Sequence, residues 1–236
     1  RRRHTRYPLV TGVQTCALPI YYGSGKGIFE KIQSAGKWRE AVRAYLASIS
    51  FADDCLGRVL DGLASKPGGR DTIVCLWSDN GWHLGEKQHW EKVTLWEEST
   101  RVVLMISAPG MQQGQCSQRV VNIMDLHPTL LELCGLPTRT DLECRSLVPL
   151  LRNPNATWDH PTLTTHGRGN HAVRTERYRY IRYRNGEEEF YDHDSDPNEW
   201  TNLAAIVAQR PIIETLHGHL PSKESPAITP EFPNKK

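Results

Sequence analysis

The sequence predicts an α/β fold followed by a smaller α+β unit built on antiparallel strands, and three observations carry that prediction. Two short apolar runs rich in β-branched residues, Thr72 to Trp77 and Val102 to Ile106, bracket a polar loop, as strands buried in a sheet do. Ahead of them Trp38, Val42, Tyr45, Ile49, Ala52, Leu56, Val59 and Leu63 recur three and four residues apart, the stripe of a long amphipathic helix. After Leu150 the chain turns polar and turn-rich, then supplies four short strand-like segments.

Taken in order, residues 1–20 are read as a non-native segment. Val10 to Ile20 resembles the in-frame translation of a sequencing-library adapter, and the Arg-rich run before it fits the same oligonucleotide. Without Arg1, Arg2, Arg3 and Arg6 the 29 basic residues fall to 25 against 27 acidic, a formal charge of about −2 in place of +2. Neither value calls for nucleic acid as a partner. No apolar run approaches the roughly 20 residues of a membrane-spanning helix.

Residues 21–150 form the α/β part. Tyr21 to Lys31 reads as a Gly-rich loop entering a helix, Lys37 to Ser65 as the long helix, and Lys66-Pro67-Gly68-Gly69 as its stop. The strand–loop–strand stretch that follows is βαβ-like. Arg119 to Asn122 is a short edge strand. Asp125 is placed to cap the next helix, with Pro128 in its first turn, Leu130, Leu131 and Leu133 on its buried face and Gly135 as its stop.

Residues 151–220 form the second unit, beyond a connector at Arg152 to Pro161. Its strands are expected at Thr162 to Thr165, Ala172 to Thr175, Tyr178 to Tyr183 and Glu189 to Tyr191, the last two joined as a hairpin by the Asn185-Gly186 turn. A terminal helix from Leu203 to Leu220 is interrupted at Pro211, and the Pro-bearing tail 221–236 reads as disordered. Basic and aromatic residues interleave from Arg177 to Arg184, a pattern that suits single-stranded nucleic acid. A half-exposed strand pairing with Glu187, Glu188 and Glu189 across the turn is the simpler account, so no nucleic-acid partner is expected.

The polar loop after the first strand carries the chemistry. Ser78-Asp79-Asn80-Gly81 falls at the strand's carboxyl end, where open α/β sheets place ligands. Asp79 and Asn80 offer hard oxygen donors suited to calcium or magnesium, and Lys92 follows after a Gly-bearing loop. Taken alone, Asp-Asn-Gly is equally ordinary turn chemistry, and Lys92 beside Glu91 an ordinary surface lysine.

The wider stretch decides between these. Ser78 to Glu86, Trp90-Glu91-Lys92 and Glu97 to Val102 resemble the sulfatase family of the alkaline phosphatase superfamily, in its iduronate-2-sulfatase-like and choline-sulfatase-like branches. The resemblance continues through Asp125 to Leu131, Gly135-Leu136-Pro137, Glu189 to Asp192 and Asp196 to Leu203. It implies the C-terminal part of a mixed-sheet α/β domain, a small subdomain with an antiparallel sheet and a helix, and hydrolysis of sulfate esters on a sulfated carbohydrate or small sulfate ester. It makes Asp79 and Asn80 metal ligands, for calcium with magnesium as the alternative, and Lys92 the lysine that grips a sulfate oxygen. It suggests an exported protein, periplasmic or secreted.

The family also uses a formylglycine made from Cys or Ser in a Cys/Ser-x-Pro-x-Arg motif, and this chain contains none. The nucleophile and formylglycine are therefore expected in a missing N-terminal half, and the chain alone is expected to be inactive. A phosphonate monoester or phosphodiester hydrolase and a non-catalytic carbohydrate-binding relative are the alternatives. Trp82 and His83 are candidates for lining the substrate pocket, against simple loop packing. His166, Arg168 and His171 are candidates for its rim, against a solvated loop. Asp53 and Asp54 are adjacent on a helix and diverge, which leaves them a solvated face. Cys134 and Cys144 flank a short loop and could form a disulfide in an exported protein.

Overall fold

The computed structural model of the chain describes the backbone of Val13–Gln14 and of residues 25–224, with side chains from 27 to 224. Most of the segment read as adapter-derived, Cys16 included, lies outside the described residues, as does the tail from 225 on.

Val13–Gln14 (β1) pairs antiparallel with Arg101–Val102 (β5) and parallel with Val121–Asn122 (β7). Helix α1 (Gly25–Ser34) begins earlier than expected, inside the Gly-rich stretch, and α2 (Trp38–Ala64) follows the apolar stripe. That stripe finds little cover. Val42, Tyr45, Leu56 and Leu63 are half-buried, Trp38, Ile49 and Val59 are exposed, and no residue of α2 is buried.

The two expected strands are β2 (Val74–Trp77) and β6 (Leu104–Ser107), and they pair antiparallel, with Leu76 opposite Met105. This corrects the βαβ-like expectation. A parallel pair needs a crossover helix packed across the sheet, whereas the connection here holds a two-residue-strand hairpin, β3 (His83–Leu84) with β4 (Trp90–Glu91), and one turn of helix, α3 (Glu97–Thr100). β2 is not buried on both faces either; its Trp77 is 51% exposed.

Asp125 stands at the N-cap of helix α4 (Leu126–Leu133), as expected, but its side chain makes no capping bond to that helix. Asn122 caps the preceding 3-10 turn, its side chain accepting from the Met124 N–H at 3.0 Å. The buried Asp125 carboxylate accepts from Asn122 N at 2.8 Å and Arg145 N at 2.9 Å, tying the helix to the chain beyond it. The buried face of α4 is Leu126 and Thr129; Leu131 and Leu133 are half-buried and Leu130 is exposed. Gly135, at φ +65, ends the helix as expected, with Leu136 N bonding Leu131 O and Gly135 N bonding Glu132 O. Helix α5 (Val148–Arg152) closes this part. Its Leu150 and Leu151 join Val102, Leu104, Ile106, Val121, Leu126 and Leu147 in one core.

The C-terminal unit is a four-stranded antiparallel sheet, β8 (Thr162–Thr165), β9 (His171–Arg174), β10 (Tyr178–Arg182) and β11 (Glu188–Asp192), in the spatial order 11-10-9-8. The Asn185-Gly186 turn joins β10 to β11, Gly186 taking φ +98. Helix α6 (Arg210–His217) packs on one face; Pro211 opens it rather than interrupting it, since a missing N–H costs nothing in the first turn. Val173, Tyr180 and Phe190 meet Ile213 and Leu216 there. On the other face Ala172, Ile181 and Tyr191 meet Leu95, which fastens the sheet to the first part of the chain.

Strand β10 is thus buried on both faces, which corrects the half-exposed reading of Arg177 to Arg184. Arg179 is wholly buried and pairs with Glu97 and Glu199, not with the hairpin glutamates. Arg177 pairs with Asp192 and Asp194. Glu188 instead accepts from the Tyr180 hydroxyl at 2.6 Å, and Glu189 from those of Tyr183 and Tyr191. The described start of the tail is ordered against the sheet: Glu224 accepts from Gly169 N at 3.3 Å and meets His171 Nε2 at 2.6 Å. All five described cysteines, Cys134 and Cys144 among them, are free thiols. No described helix is long and apolar enough to cross a membrane.

Candidate active site

The site begins where β2 ends. Ser78 N bonds Val103 O at 3.2 Å, and Gly81 N bonds Ser99 O at 2.9 Å, so both ends of the Ser78–Gly81 turn are pinned to the segment before β6. The Ser78 hydroxyl bonds Asn80 O at 2.8 Å. Only glycine fits at 81, because a Cβ there would lie 2.0 Å from Glu98 O. The turn leaves the Asp79 carboxylate 83% exposed and Asn80 half-buried beside it.

The β3–β4 hairpin brings Lys92 back to the same place. Its ammonium sits 3.8 Å from Asp79 Oδ2, and its carbonyl meets His89 Nε2 at 3.1 Å. The path there is strained. Gly85 takes φ +124, and among non-glycine residues Lys87, Gln88, Glu91 and Val93 take φ +52, +56, +78 and +76. A left-handed valine is a genuine outlier, because its branched side chain clashes with the backbone. The hairpin is anchored on the other side by Trp38 of α2, whose indole N–H donates to Leu84 O at 2.6 Å.

The two residues expected at the pocket differ in burial. His83 is fully buried, its Nε2 2.8 Å from Thr94 Oγ1. Burial, helped by nearby His89, drives its pKa down to about 3, so the ring is neutral and serves the core. Trp82 is half-buried and stacks on Tyr45 of α2, ring centroids 5.9 Å apart at 23°. The donor chemistry of Asp79 and Asn80 fits a hard divalent cation, and the two supply part of the six to eight oxygens that calcium takes.

His166, Arg168 and His171 lie at the β8–β9 turn. Arg168 is exposed. His166 is half-buried, and burial lowers its pKa. His171 is buried between Thr165 Oγ1 at 2.8 Å and Glu224. Among the described residues none of their hydrogen bonds reaches Asp79, Asn80 or Lys92; His171 opens β9, an inner strand of the sheet.

The sequence reading missed the charged network beneath the site. Glu97 and Glu199 share Arg179, which also donates to Leu95 O at 2.9 Å. Arg174 Nε reaches Glu97 at 3.4 Å, His193 Nε2 reaches Glu199 at 2.9 Å, and Glu97 N donates to Glu199 Oε2 at 3.0 Å. Burial alone would raise the Glu199 carboxyl, but Arg179 and the His193 hydrogen bond outweigh it and hold it near 2. Glu97, His193 and Glu199 place ligand atoms within 4.8 Å of one another. The two buried guanidiniums already balance the carboxylates, so this is an ion-pair network and not a cation site. The available signal was Glu97 and Glu199, each in a segment that carries the family resemblance, with arginines among the apolar residues of β9 and β10.

Comparison with known proteins gives the chain's relatives. A family model described as sulfatase matches residues 13–136, and one described as the C-terminal part of N-sulphoglucosamine sulphohydrolase matches 85–225. The chain is 43% identical over 188 residues to a sulfatase of Formosa agariphila, covering 80% of this chain and 37% of that one. It is 33% identical over 174 residues to the choline-sulfatase of Rhizobium meliloti, covering 70% of this chain and 33% of that one. A protein solved with its substrate D-glucosamine-2-N,6-O-disulfate superposes with a TM-score of 0.71 at 27% identity, over 77% of this chain and 40% of the other. The chain therefore spans little more than a third of the length of these relatives.

Proposed function

The chain belongs to the sulfatase family, and from that premise we propose that it is the part of a sulfuric ester hydrolase that carries Asp79 and Asn80 as cation ligands and Lys92 as the sulfate-gripping cation. The observation that carries this reading is the approach of Lys92 Nζ to Asp79 Oδ2, 3.8 Å, at the carboxyl end of β2. A carboxylate and an ammonium this close, one largely exposed, make a mixed-charge site in which the carboxylate would hold a cation and the lysine would attract an anionic oxygen. The substrate class is a sulfate ester on a carbohydrate or a small alcohol, and the protein is an exported one.

Asp79 would hold the cation through its carboxylate and Asn80 through its side-chain carbonyl. When bound, calcium would offset charge on the sulfuryl oxygens. Lys92 orients one sulfate oxygen and stabilises charge as the leaving oxygen departs. The nucleophile, a formylglycine, comes from elsewhere in the full-length protein, because no Cys/Ser-x-Pro-x-Arg stands in this chain. The test is turnover of an aryl sulfate by the full-length protein. Lys92→Ala and Asp79→Ala should each lower kcat/KM by about 100-fold or more, and the isolated chain should show no turnover. Wild-type rates in both variants would end the reading.

A further inference from the structure

We propose that Lys87 is a positioning residue for the Asp79–Lys92 site, seated on the C-terminal sheet by the buried Arg179–Glu199 pair. The proposal rests on the sulfatase reading only for its ligand measurements. Its premise is a coincidence of strain. Every non-glycine residue with positive φ among the described residues belongs to one assembly: Lys87, Gln88, Glu91 and Val93 in the hairpin, and Glu199, at φ +57, beneath it. Strained backbone persists only where its surroundings over-determine it, and such strain gathers at functional sites.

Lys92 is bracketed by two of these residues, Glu91 and Val93. Its side-chain direction therefore depends on both holding the left-handed conformation, and relaxation of either would turn the ammonium away from Asp79. The local hydrogen bonds of the turn, Gln88 N to Gly85 O and His89 N to Glu86 O, close the turn but do not fix where it points. Lys87 does. Its ammonium donates to Glu199 O and to the Tyr191 hydroxyl at 3.2 Å. It also lies 4.7 Å from the ring centre of Trp96 and 4.6 Å from that of Tyr191. Among the described ion pairs it has no carboxylate partner, so its charge is held by two aromatic faces, a carbonyl and a hydroxyl.

The seat is itself rigid. Glu199 is fully buried, bonded to Arg179 and His193 and to Glu97 N, and Glu97 is one residue from Trp96. Tyr191 and Ile181 share the sheet face that packs on Leu95. Hairpin and sheet are therefore joined at Lys87 by contacts that a neutral side chain of the same length cannot make.

The test compares wild type, Lys87→Met, Lys87→Arg and Tyr191→Phe in the full-length protein. Two quantities are measured: inorganic sulfate affinity with calcium present, by titration calorimetry, and amide hydrogen exchange across residues 88–94. Lys87→Met should weaken sulfate binding by about tenfold, as loss of a ligand-orienting neighbour does. It should speed exchange at 88–94 while leaving exchange in β9 and β10 unchanged. Lys87→Arg should restore both, since a guanidinium also binds aromatic faces, and Tyr191→Phe, which keeps the ring, should give an intermediate loss. Wild-type exchange and affinity in Lys87→Met would overturn the proposal. So would equal loss in Lys87→Arg, or faster exchange spread evenly over the sheet. If wild type itself binds no sulfate, the sulfatase reading fails, and the exchange data alone, which need no ligand, decide the role of Lys87.

Discussion

Helix α2 and the C-terminal sheet are both legible as elements in the sequence and have opposite fates. The sheet encloses its own core: Tyr180, Ile181, Phe190 and Ile213 are completely buried, on both faces of β10 and under α6. Helix α2 runs 27 residues without burying one of them. Its firmest long-range attachments are Trp38 to Leu84 O and Tyr45 against Trp82, both at the site hairpin. Periodicity states which face of an element is apolar, while burial depends on what the rest of the fold brings to that face. The contrast also shows where the site gets its rigidity, because the hairpin lies between a loosely held helix and a firmly packed sheet.

The largest expected effect strikes the sheet's charged seat. Glu199→Ala leaves Arg179 buried with one partner fewer and should cost about 3–5 kcal/mol in denaturant unfolding. A loss under about 1 kcal/mol would mean that water reaches the network and that the contrast with α2 is overdrawn.

Matched isoleucines sharpen the comparison. Ile213→Ala, at a side chain with 0% exposure, should cost about 2–4 kcal/mol. Ile49→Ala in α2, at 51% exposure, should stay within about 0.5 kcal/mol. Equal losses would show that α2 is covered in solution.

Acid should probe the hairpin next. His83 has a folded pKa near 3 against 6.5 for the ordinary group. Below pH 6.5 the unfolded chain takes up a proton that the folded one refuses, so stability falls from pH 6.5 toward 3. At pH 4.5 the loss from His83 is about 2–3 kcal/mol. Glu199 has the complementary form: depressed from 4.5 to about 2, it contributes stability that is complete above 4.5 and disappears as pH falls through 2. Thermal melting of His83→Gln from pH 7 to 4.5 should be flatter than wild type, and an unchanged slope would place the titration elsewhere.

The smallest stability effect belongs to the site itself. Asp79 is exposed and its ion pair with Lys92 is long. Asp79→Asn should change unfolding free energy by less than about 0.5 kcal/mol, while calcium affinity, measured by calorimetry, drops at least tenfold. A stability loss comparable to that of Ile213→Ala would make Asp79 a structural residue.

The sequence alone determined the long helix α2, the Asn185-Gly186 hairpin and the Gly135 stop, and it singled out Asp79, Asn80 and Lys92 through a family resemblance. The hairpin and the stop depend on turn residues that tolerate positive φ, whereas Asp-Asn-Gly and a lysine beside a glutamate have the same local chemistry in an ordinary turn. Tertiary contacts set β2 and β6 antiparallel, bury His83 and His171, place Arg179 between Glu97 and Glu199, and bring the Lys87 ammonium to Glu199 O. Each of these depends on a partner roughly 10 to 110 residues away. Whether a polar side chain faces solvent, core or site is fixed by what packs against it, and residue type and spacing do not carry that information.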